Sequence, residues 1–314
     1  MLISIVIPCF NEDKVLDETV KRLQNLYEII KNRYEIEYIF IDDGSSDNTK
    51  NIILEKIVEN KKINLICFSR NFGHQIAVTA GIDYANGDAI VIMDADLQDP
   101  PEVVVEMINK FEEGYDVAYG QRTERLGESP FKLKTASWFY KILNKFSDTK
   151  IPMDTGDFRL ISRRVADAIK QMPEKARFIR GMVAWVGYKQ IAVPYTRSER
   201  FAGNTKYPLC KMLHFAVDGF LSFSSKPLQF ATSIGFFLSG LSFLGIIFVL
   251  INRIFTKMWV TGWASMIICI LFLGGVQLIS IGILGEYIGR MFNESKARPL
   301  YLVDKVYGDN LKIE

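Results

Sequence analysis

The sequence is poor in the residues that build soft metal sites and disulfide frameworks. Its 314 residues include 2 histidines and 4 cysteines. The scarcity of histidine argues against a histidine-based metal site. The cysteines, Cys9, Cys67, Cys210 and Cys269, have neither metal-binding nor disulfide-framework spacing. We therefore expect them to be buried or membrane-embedded thiols in a reducing compartment.

The chain also lacks an excess of either charge. It has 38 Lys+Arg against 36 Asp+Glu, so the net charge of +2 gives no reason to expect nucleic acid as a partner. A signal peptide is not expected, because MLISIVIPCFNE has no basic n-region and its apolar run is only as long as a strand. Partners must therefore be predicted from local charge.

Two stretches have no charged residue at all. Phe230–Ile251 and Ala264–Gly285 each contain 22 residues without Asp, Glu, Lys or Arg. At about 1.5 Å per residue each reaches about 33 Å, enough to cross a hydrocarbon core of about 30 Å. We therefore predict two transmembrane helices in preference to two buried helices of a soluble domain. Small residues recur in both, which favours close helix packing and a homo-oligomer.

The flanking charges predict the orientation of this helical hairpin. The connector, residues 252–263, carries two basic residues, whereas five lie on the opposite flanks. By the positive-inside tendency, residues 1–229 and the tail lie in the cytoplasm. The chain is thus expected in the cell (inner or plasma) membrane, with two spans and a cytoplasmic main domain.

The first 125 residues alternate short apolar runs with segments typical of helices. Predicted helices cover Asp13–Arg33, 47–60, Gln75–Ala85 and Pro101–Glu113, and a further one covers Arg163–Gln171. The strands between them are LISIVIP, EYIFIDD, NLICFS, AIVIMDAD and DVAYGQR, with QIAVPYTRSERF later in the chain. This alternation predicts an α/β fold with a mostly parallel sheet covered on both faces.

Two further segments are amphipathic and aromatic. Phe131–Phe146 is typical either of a helix at a membrane surface or of a plain surface helix, and Tyr207–Ser225 is expected to be an interfacial helix. The chain is therefore predicted to consist of a main domain over 1–200, followed by a basic segment with the interfacial helix over 201–229. Membrane helices are predicted over 230–251 and 264–285, with an extracytoplasmic connector over 252–263 between them. A cytoplasmic tail over 286–314 follows.

Carboxylates follow several of the predicted strands directly. Asp42 and Asp43 end one strand, and Asp94 and Asp96 end another. Ligands of parallel α/β sheets bind beyond the carboxyl ends of the strands, so these side chains predict a shared acidic crevice. Two Asp residues separated by one residue suit Mg²⁺ or Mn²⁺, with Gln98 adding an amide oxygen and a diphosphate completing the coordination.

The three segments IVIPCFNE, IDDGSSDNT and IVIMDADLQDPPE, in this order and spacing, resemble family 2 glycosyltransferases of the GT-A (Rossmann-like) fold. The likeness extends over nearly the whole chain to polyprenyl-phosphate glycosyltransferases, such as bacterial bactoprenol glucosyltransferases and dolichyl-phosphate mannose synthase. It implies a GT-A domain followed by interfacial helices and a two-helix transmembrane hairpin.

The resemblance also implies roles for individual residues. Those implied to hold the base and ribose of a nucleotide sugar are Pro8, Asn11, Glu12 and Asp43. Those implied to hold the ribose, metal and diphosphate are Asp94, Ala95, Asp96 and Gln98, with Asp94, Asp96 and Gln98 as the metal ligands. Basic positions implied to face the donor diphosphate or the acceptor phosphate are Arg122, Arg200 and Lys206, and the catalytic base is implied to be Asp157 in TGDFRL.

The chemistry of the acceptor qualifies this last assignment. A polyprenyl phosphate is mostly a dianion at neutral pH, since its second pKa is about 6. Such a nucleophile needs little deprotonation. We therefore favour the hypothesis that Asp157 orients the attacking phosphate through cations such as Arg159 or Arg122, and takes a proton only secondarily.

The predicted activity is an inverting, metal-dependent transfer of glucose from UDP-glucose to undecaprenyl phosphate, giving a β-linked lipid-phosphate sugar. The same chemistry with a UDP-4-amino-4-deoxy-arabinose derivative or GDP-mannose stays open. A processive synthase is disfavoured by two spans and by the lack of a Gln-x-x-Arg-Trp segment. A non-catalytic membrane scaffold is disfavoured by the intact Asp94, Asp96 and Asp157.

Two features receive structural interpretations. His74, in SRNFGHQIAVTAG, is predicted to lie at a helix start or in a substrate loop. Asp99, Pro100, Pro101 and Glu102 are predicted to form a turn and the amino end of a helix rather than to bind a ligand.

Overall fold

The computed structural model of the chain describes residues 1–125, 155–197, 226–255 and 262–308. The chain divides into two compact units, one made of Met1–Gly219 with Arg298–Glu314 and the other of Phe220–Ala297. The predicted helices over 131–146 and 207–225 lie outside the described residues.

An eight-stranded sheet forms the centre of the first unit. Its strands are β1 (Leu2–Cys9), β2 (Glu35–Asp42), β3 (Ile63–Phe68), β4 (Ala89–Ile92), β5 (Val117–Arg125), β6 (Thr155–Ser162), β7 (Gln190–Arg197) and β8 (Val303–Tyr307). They lie in the order β7-β5-β6-β4-β1-β2-β3-β8. β1 is parallel to β2 and β4, and β2 is parallel to β3. This parallel centre agrees with the prediction.

Two strands run the opposite way and make the sheet mixed. β6 is antiparallel to β4 and β5, and β8 is antiparallel to β3. All eight residues of β6 are buried, including Asp157 and Arg159, so burial does not alternate along this strand as it does along a strand with one exposed face. The tail strand β8 was also not predicted from the sequence.

Helices connect the strands. They are α1 (Leu16–Ile30), α2 (Thr49–Glu59), α3 (His74–Tyr84), a 3₁₀ turn over Pro101–Val103, α4 (Val104–Glu112), α5 (Arg163–Lys170) and α6 (Ile179–Val186). Each helix predicted within the described residues of this unit is present within a few residues of its expected bounds, and α6 is additional. The helix predicted from Asp13 begins at Leu16.

Burial follows the expected pattern of a doubly covered sheet. Seven of the eight residues are buried in each of β1 and β2, and all four are buried in β4. α1 buries Leu16, Thr19, Val20, Leu23, Leu26 and Ile30, which recur every three or four residues and so lie on one helix face. Each fully buried aliphatic side chain stabilises the fold by about 1.5–3 kcal/mol. The core thus holds the carboxyl ends of the central strands in place.

The direction of β6 determines which residues meet at that edge. In the antiparallel register Ile92 pairs with Arg159 and Val91 with Leu160. Continuing this register places Asp157 opposite Asp94, just beyond the end of β4. The TGDFRL motif and the acidic loop therefore reach the same edge of the sheet.

The second unit contains two long helices that contact each other, α7 (Lys226–Phe255) and α8 (Trp263–Ser295). Among the described residues one segment, Phe272–Ser295, is long and apolar enough to cross a membrane, and α7 contains a shorter apolar stretch, Ala231–Gly245. Phe236 and Leu278 are 77% and 73% exposed, which is unusual for apolar side chains unless lipid or protein covers them. One membrane helix is therefore a candidate, and the predicted two-helix hairpin is not confirmed.

Candidate active site

The loops after β1 and β2 are tied together by side-chain to backbone hydrogen bonds. Asn11 has a left-handed backbone with φ 53°. Its backbone N–H donates to Ser45 Oγ at 3.0 Å, and its Oδ1 accepts from the backbone N–H of Ser46 at 2.8 Å. The backbone N–H of Glu12 donates to Thr49 Oγ1 at 2.8 Å. Pro8 is buried in β1. The predicted nucleotide residues of these two loops are thus neighbours in the structure.

Asp43 organises the loop that follows β3. Its two carboxylate oxygens accept the backbone N–H groups of Phe72 at 2.6 Å and Gly73 at 3.0 Å. Burial raises the pKa of Asp43 even though these two donors oppose the rise. Because both oxygens are engaged, Asp43 holds the 71–73 loop, and a nucleotide at this position would have to share them.

Gly44 allows the loop after β2 to lie close to the backbone of Arg70 and Asn71. Its φ is +70°, and a Cβ there would lie 2.7 Å from the backbone carbon of Arg70 and from the backbone nitrogen of Asn71. Other residues would clash with that backbone, since real Cβ contacts do not reach such distances. The glycine of DDGSS is therefore required for the packing of two loops at the edge of the sheet.

The acidic loop after β4 is held from below by α1. Thr19 Oγ1 donates to the backbone carbonyl of Ala95 at 2.8 Å. Asp96 Oδ1 accepts the backbone N–H of Gln98 at 3.1 Å, and the intervening Leu97 has a φ of 58°. A bulky non-glycine residue in this region is a strained conformation of a kind that clusters at functional sites.

Asp94 has the features of a cation ligand. Its Oδ1 is buried and has no hydrogen-bond partner, although His74 Nε2 lies 3.5 Å away. Burial raises the pKa of Asp94 to about 6, and Asp96, Asp99 and Asp157 add to the rise while His74 opposes it. A hard divalent cation would satisfy both the unpaired oxygen and the crowded negative charge.

The predicted metal ligands fit this cation only in part. Among residues 1–125, 155–197, 226–255 and 262–308, no group of three or more His, Cys, Asp or Glu is arranged to hold a metal ion. Gln98 Oε1, the atom predicted to bind the metal, accepts Arg197 Nη2 at 2.9 Å. Asp94 and Asp96 are therefore the better candidates, with substrate oxygens required to complete the site.

Asp157 lies on the other side of His74, and it is 5% exposed. Gln75 Nε2 donates to its Oδ2 at 2.8 Å, and Arg180 donates through Nε to Oδ1 at 2.9 Å and through Nη2 to Oδ2 at 3.2 Å. Burial alone would raise the pKa of Asp157, but Arg180 and His74 lower it well below the usual range. This carboxylate is a poor proton acceptor.

His74 is the first residue of α3, as predicted, and it also bridges the two carboxylates. Its Nε2 lies 3.5 Å from Asp94 Oδ1 and 3.4 Å from Asp157 Oδ2. Burial by itself lowers the pKa of His74, but the two carboxylates outweigh burial and raise it to about 9. With this raised pKa the imidazole is cationic at neutral pH, and its contacts with both carboxylates go beyond the helix start or substrate-loop position expected from sequence.

A second buried network surrounds Asp99. The Tyr195 hydroxyl donates to Asp99 Oδ1, and Arg122 Nε donates to the Tyr195 hydroxyl at 3.2 Å. Arg122 Nη2 lies 3.7 Å and Arg197 Nε 3.9 Å from Asp99 Oδ1. The prediction that Asp99 only begins a helix was incomplete, because its 1% exposed carboxylate anchors cations beside the acidic loop.

The structure thus brings together most of the predicted site residues that it describes. Arg200 and Lys206 lie outside the described residues. Sequence reasoning missed Gln75, Arg180 and Tyr195. It proposed Arg159 or Arg122 as the cationic neighbour of Asp157, whereas the structure pairs Asp157 with Arg180. The sequence signal for Gln75 was its place beside His74 at the start of α3. Arg180 had no such signal.

Comparisons with known proteins agree with this geometry. The sequence profile of Glycosyl transferase family 2 matches residues 4–170. The uncharacterized glycosyltransferase YkcC of Bacillus subtilis (strain 168) is 51% identical over 305 residues, covering 97% of this chain and 94% of its own length.

Two further relatives have more specific names. The prophage bactoprenol glucosyl transferase homolog of Escherichia coli (strain K12) is 43% identical over 306 residues, covering 98% of this chain and 99% of its own. The bactoprenol glucosyl transferase of Shigella phage SfII is 43% identical over 310 residues, covering 99% of this chain and all of its own length, 100%. The similarity therefore extends through both compact units.

Proposed function

Since this chain belongs to glycosyltransferase family 2, we propose that it transfers glucose from UDP-glucose to the phosphate of a polyprenyl lipid, undecaprenyl phosphate. The observation that carries the proposal is the end-to-end similarity to relatives named bactoprenol glucosyl transferase, at 43% identity over 98–99% of the chain. The acidic edge of the sheet supplies a site where this chemistry fits.

The reaction is a single displacement at the anomeric carbon. An oxygen of the acceptor phosphate forms the new C–O bond, and the bond from that carbon to the donor diphosphate breaks with its electron pair going to UDP. Attack from the opposite face converts an α-linked donor to a β-linked lipid-phosphate sugar. The acceptor is mostly a dianion at neutral pH, so no strong base is needed.

The role of Asp157 follows from this. A carboxylate whose pKa is held well below its usual range is ionised throughout the neutral range and binds a proton weakly. Asp157 therefore acts as a fixed negative charge that orients cationic groups around the acceptor phosphate. Its described cationic partners are Arg180 and His74.

Asp94 and Asp96 would hold Mg²⁺ or Mn²⁺ at this edge, and Asn11, Glu12 and Asp43 lie on the side proposed for the nucleotide. When bound, the cation would stabilise the departing diphosphate. Arg122 lies beside the acidic loop with its side chain 14% exposed, and with Arg200 and Lys206 it is proposed to draw the donor and acceptor anions together.

The sheet itself supports two membrane crossings. β7 ends at Arg197 and β8 begins at Val303, and both belong to one sheet. A sheet cannot lie on two sides of a bilayer, so the chain between these strands must cross an even number of times. If Phe272–Ser295 crosses once, α7 provides the second crossing. We therefore propose the two-span hairpin, with the sheet, including its tail strand β8, in the cytoplasm.

The decisive experiment measures transfer of radiolabel into lipid. The purified full chain in detergent is given undecaprenyl phosphate with labelled UDP-glucose, GDP-mannose or a UDP-4-amino-4-deoxy-arabinose derivative, with and without Mg²⁺ or Mn²⁺. We expect label in the lipid phase from UDP-glucose, loss of transfer with a chelator, and a decrease of about 100-fold or more for Asp94→Asn.

Glu102→Gln, in the same acidic stretch, is the matched control, because Glu102 pairs with Arg22 at the surface and should retain full activity. Transfer from another nucleotide sugar alone would overturn the donor assignment. No transfer from any of the three donors would overturn the proposed reaction.

A further inference from the structure

Asp157 is held by two residues that neither the family resemblance nor the sequence motifs assign to the site. Arg180 contacts both carboxylate oxygens, through Nε at 2.9 Å and Nη2 at 3.2 Å, which is the fork geometry of a bidentate ion pair. Gln75 Nε2 donates to the same carboxylate at 2.8 Å. Asp157 is thereby fixed from two directions inside the protein.

Both residues are themselves anchored. Gln75 Oε1 accepts the backbone N–H of Ile179, the first residue of α6, at 2.9 Å. Such a group has no partner within its own helix, so the glutamine caps α6 while its other end reaches Asp157. Arg180 Nη1 donates to the backbone carbonyl of Thr155 at 3.2 Å. The amino ends of α3, α6 and β6 are thus joined through one carboxylate.

The chemistry of the glutamine allows one orientation of its amide. Its carbonyl oxygen must face the N–H of Ile179, and its NH₂ must face Asp157. In the reverse orientation the NH₂ would face another donor, the N–H of Ile179, and the carbonyl oxygen would face another acceptor, the Asp157 carboxylate. Through these two hydrogen bonds, the position of the Asp157 carboxylate depends on the position of the amino end of α6. Arg180, one residue further along α6, adds the balancing positive charge.

We propose that Gln75 and Arg180 are positioning residues for Asp157 and that the amino end of α6 is part of the active site. Resting on the proposed function, the inference adds that the two residues hold the Asp157 carboxylate in one rotamer. The residues proposed for the nucleotide lie in other loops. Loss of the clamp should therefore lower turnover without weakening nucleotide binding.

The first test is the effect of single substitutions on kcat and on the dissociation constant of UDP. Gln75→Glu keeps an acceptor for Ile179 but sets a carboxylate against Asp157, and Arg180→Met removes the fork. We expect each to lower kcat by about 10- to 100-fold, since small displacements of reacting groups cost this much. UDP affinity, measured by calorimetry, should stay unchanged, and Arg180→Lys should recover part of the kcat lost in Arg180→Met.

Gln190→Glu is the matched control. Gln190 Nε2 donates to the carbonyl of Val183 on the same helix, away from Asp157. This variant carries the same chemical change against the same helix and should retain wild-type kcat. Unchanged kcat in Gln75→Glu, or an equal loss in Gln190→Glu, would overturn the inference.

The second test needs no turnover. Thermal unfolding of the substrate-free full chain is compared for Gln75→Glu, Asp157→Asn and the double variant. In the double variant the new amide can donate to the new carboxylate, so we expect it to unfold at a higher temperature than the sum of the single losses predicts. Additive losses would show that the two side chains are not coupled. An inactive wild type with coupled variants would refute the proposed function while leaving the clamp in place.

Discussion

The stretch from Asp94 to Glu102 shows how four carboxylates coexist within nine residues. Asp94 keeps a buried oxygen without a hydrogen bond, whereas Asp96 caps its own turn. Asp99 is buried against Tyr195 and Arg122, and Glu102 is exposed and paired with Arg22. Each carboxylate therefore has a different environment, and the charge is distributed over a proposed metal site, a buried anchor and a surface pair.

The buried anchor gives a prediction about stability. Asp99→Ala removes the acceptor of the Tyr195 hydroxyl and the counter-charge of Arg122, so a buried O–H donor loses its partner and a buried cation loses its anion, while the hydrogen bond from Arg122 to Tyr195 remains. We expect the free energy of unfolding to fall by about 3 kcal/mol, as for other broken buried pairs. Denaturant unfolding of the full chain in detergent measures the loss.

Glu102→Gln is the comparison for this experiment. Glu102 is 54% exposed in its pair with Arg22, so its loss should change the free energy of unfolding by less than about 1 kcal/mol. Equal effects of the two substitutions would mean that Asp99 is not the buried anchor described here.

At the scale of elements, one corner of the sheet depends on a single carboxylate. Asp116, immediately before β5, is 4% exposed, and its Oδ1 accepts the Ser162 hydroxyl at 3.1 Å. It also pairs with Arg164 at the start of α5. Burial raises the pKa of Asp116, but Arg164 and Ser162 outweigh burial and the net shift is downward. The carboxylate thus joins β5, β6 and α5.

The downward shift determines the sign of a pH effect. A carboxyl group with a folded-state pKa below its unfolded value of about 3.9 stabilises the fold at neutral pH, and this stability is lost as pH falls through the folded pKa. Asp116→Asn should therefore lower the free energy of unfolding at pH 7 by about 1 kcal/mol, since Arg164 is largely exposed, and the melting temperature should fall with it. The difference from wild type should shrink below about pH 4.

Melting temperatures measured from pH 7 to pH 3 check this prediction. Asp167→Asn serves as its control, because Asp167 pairs with Arg163 at the surface at 3.9 Å. A constant difference between Asp116→Asn and wild type across this range would exclude ionisation of Asp116 as the cause.

At the scale of the whole molecule, the chain leaves the sheet after β7 and returns to it as β8. Strand β8 pairs with β3. Just before it, the Tyr301 hydroxyl donates to Asp83 Oδ2 at 3.0 Å, and the Tyr301 ring stacks on Phe68 with ring centroids 5.1 Å apart. Tyr301 thus attaches the segment after α8 to the carboxyl-terminal part of α3. In the proposed topology, an even number of membrane crossings separates β7 from β8.

Single cysteines introduced into a cysteine-free full chain test this topology. We expect a membrane-impermeant maleimide added to intact cells to label Thr256→Cys in the predicted connector and not Asp304→Cys in β8, because the proposed hairpin places the two positions on opposite sides of the membrane. Permeabilised cells should label both, since Asp304 is exposed. Protection of Thr256→Cys in intact cells, with labelling only after permeabilisation, would mean that α7 does not span.

Much of the fold was predictable because it depends on local patterns. Alternating apolar runs and helical segments identified β1 to β5 and α1 to α4, and carboxylates directly after strands identified the acidic edge. These features require no knowledge of which strands are neighbours. The direction of β6, the helix α6 and the return of β8 were not predictable in this way, since fully buried or short segments carry no distinguishing period.

Patterns in the chain were therefore sufficient to predict the family, the parallel centre of the sheet and the residues at its carboxyl edge. The folded chain was needed to show that Asp157 lies across His74 from Asp94, that Gln75 and Arg180 hold Asp157, and that Asp99 is a buried anchor. The physical reason is that these contacts join residues far apart in the chain, such as Gln75 with Asp157, 82 positions away. Strand order and direction bring such residues together, and no local spacing records them.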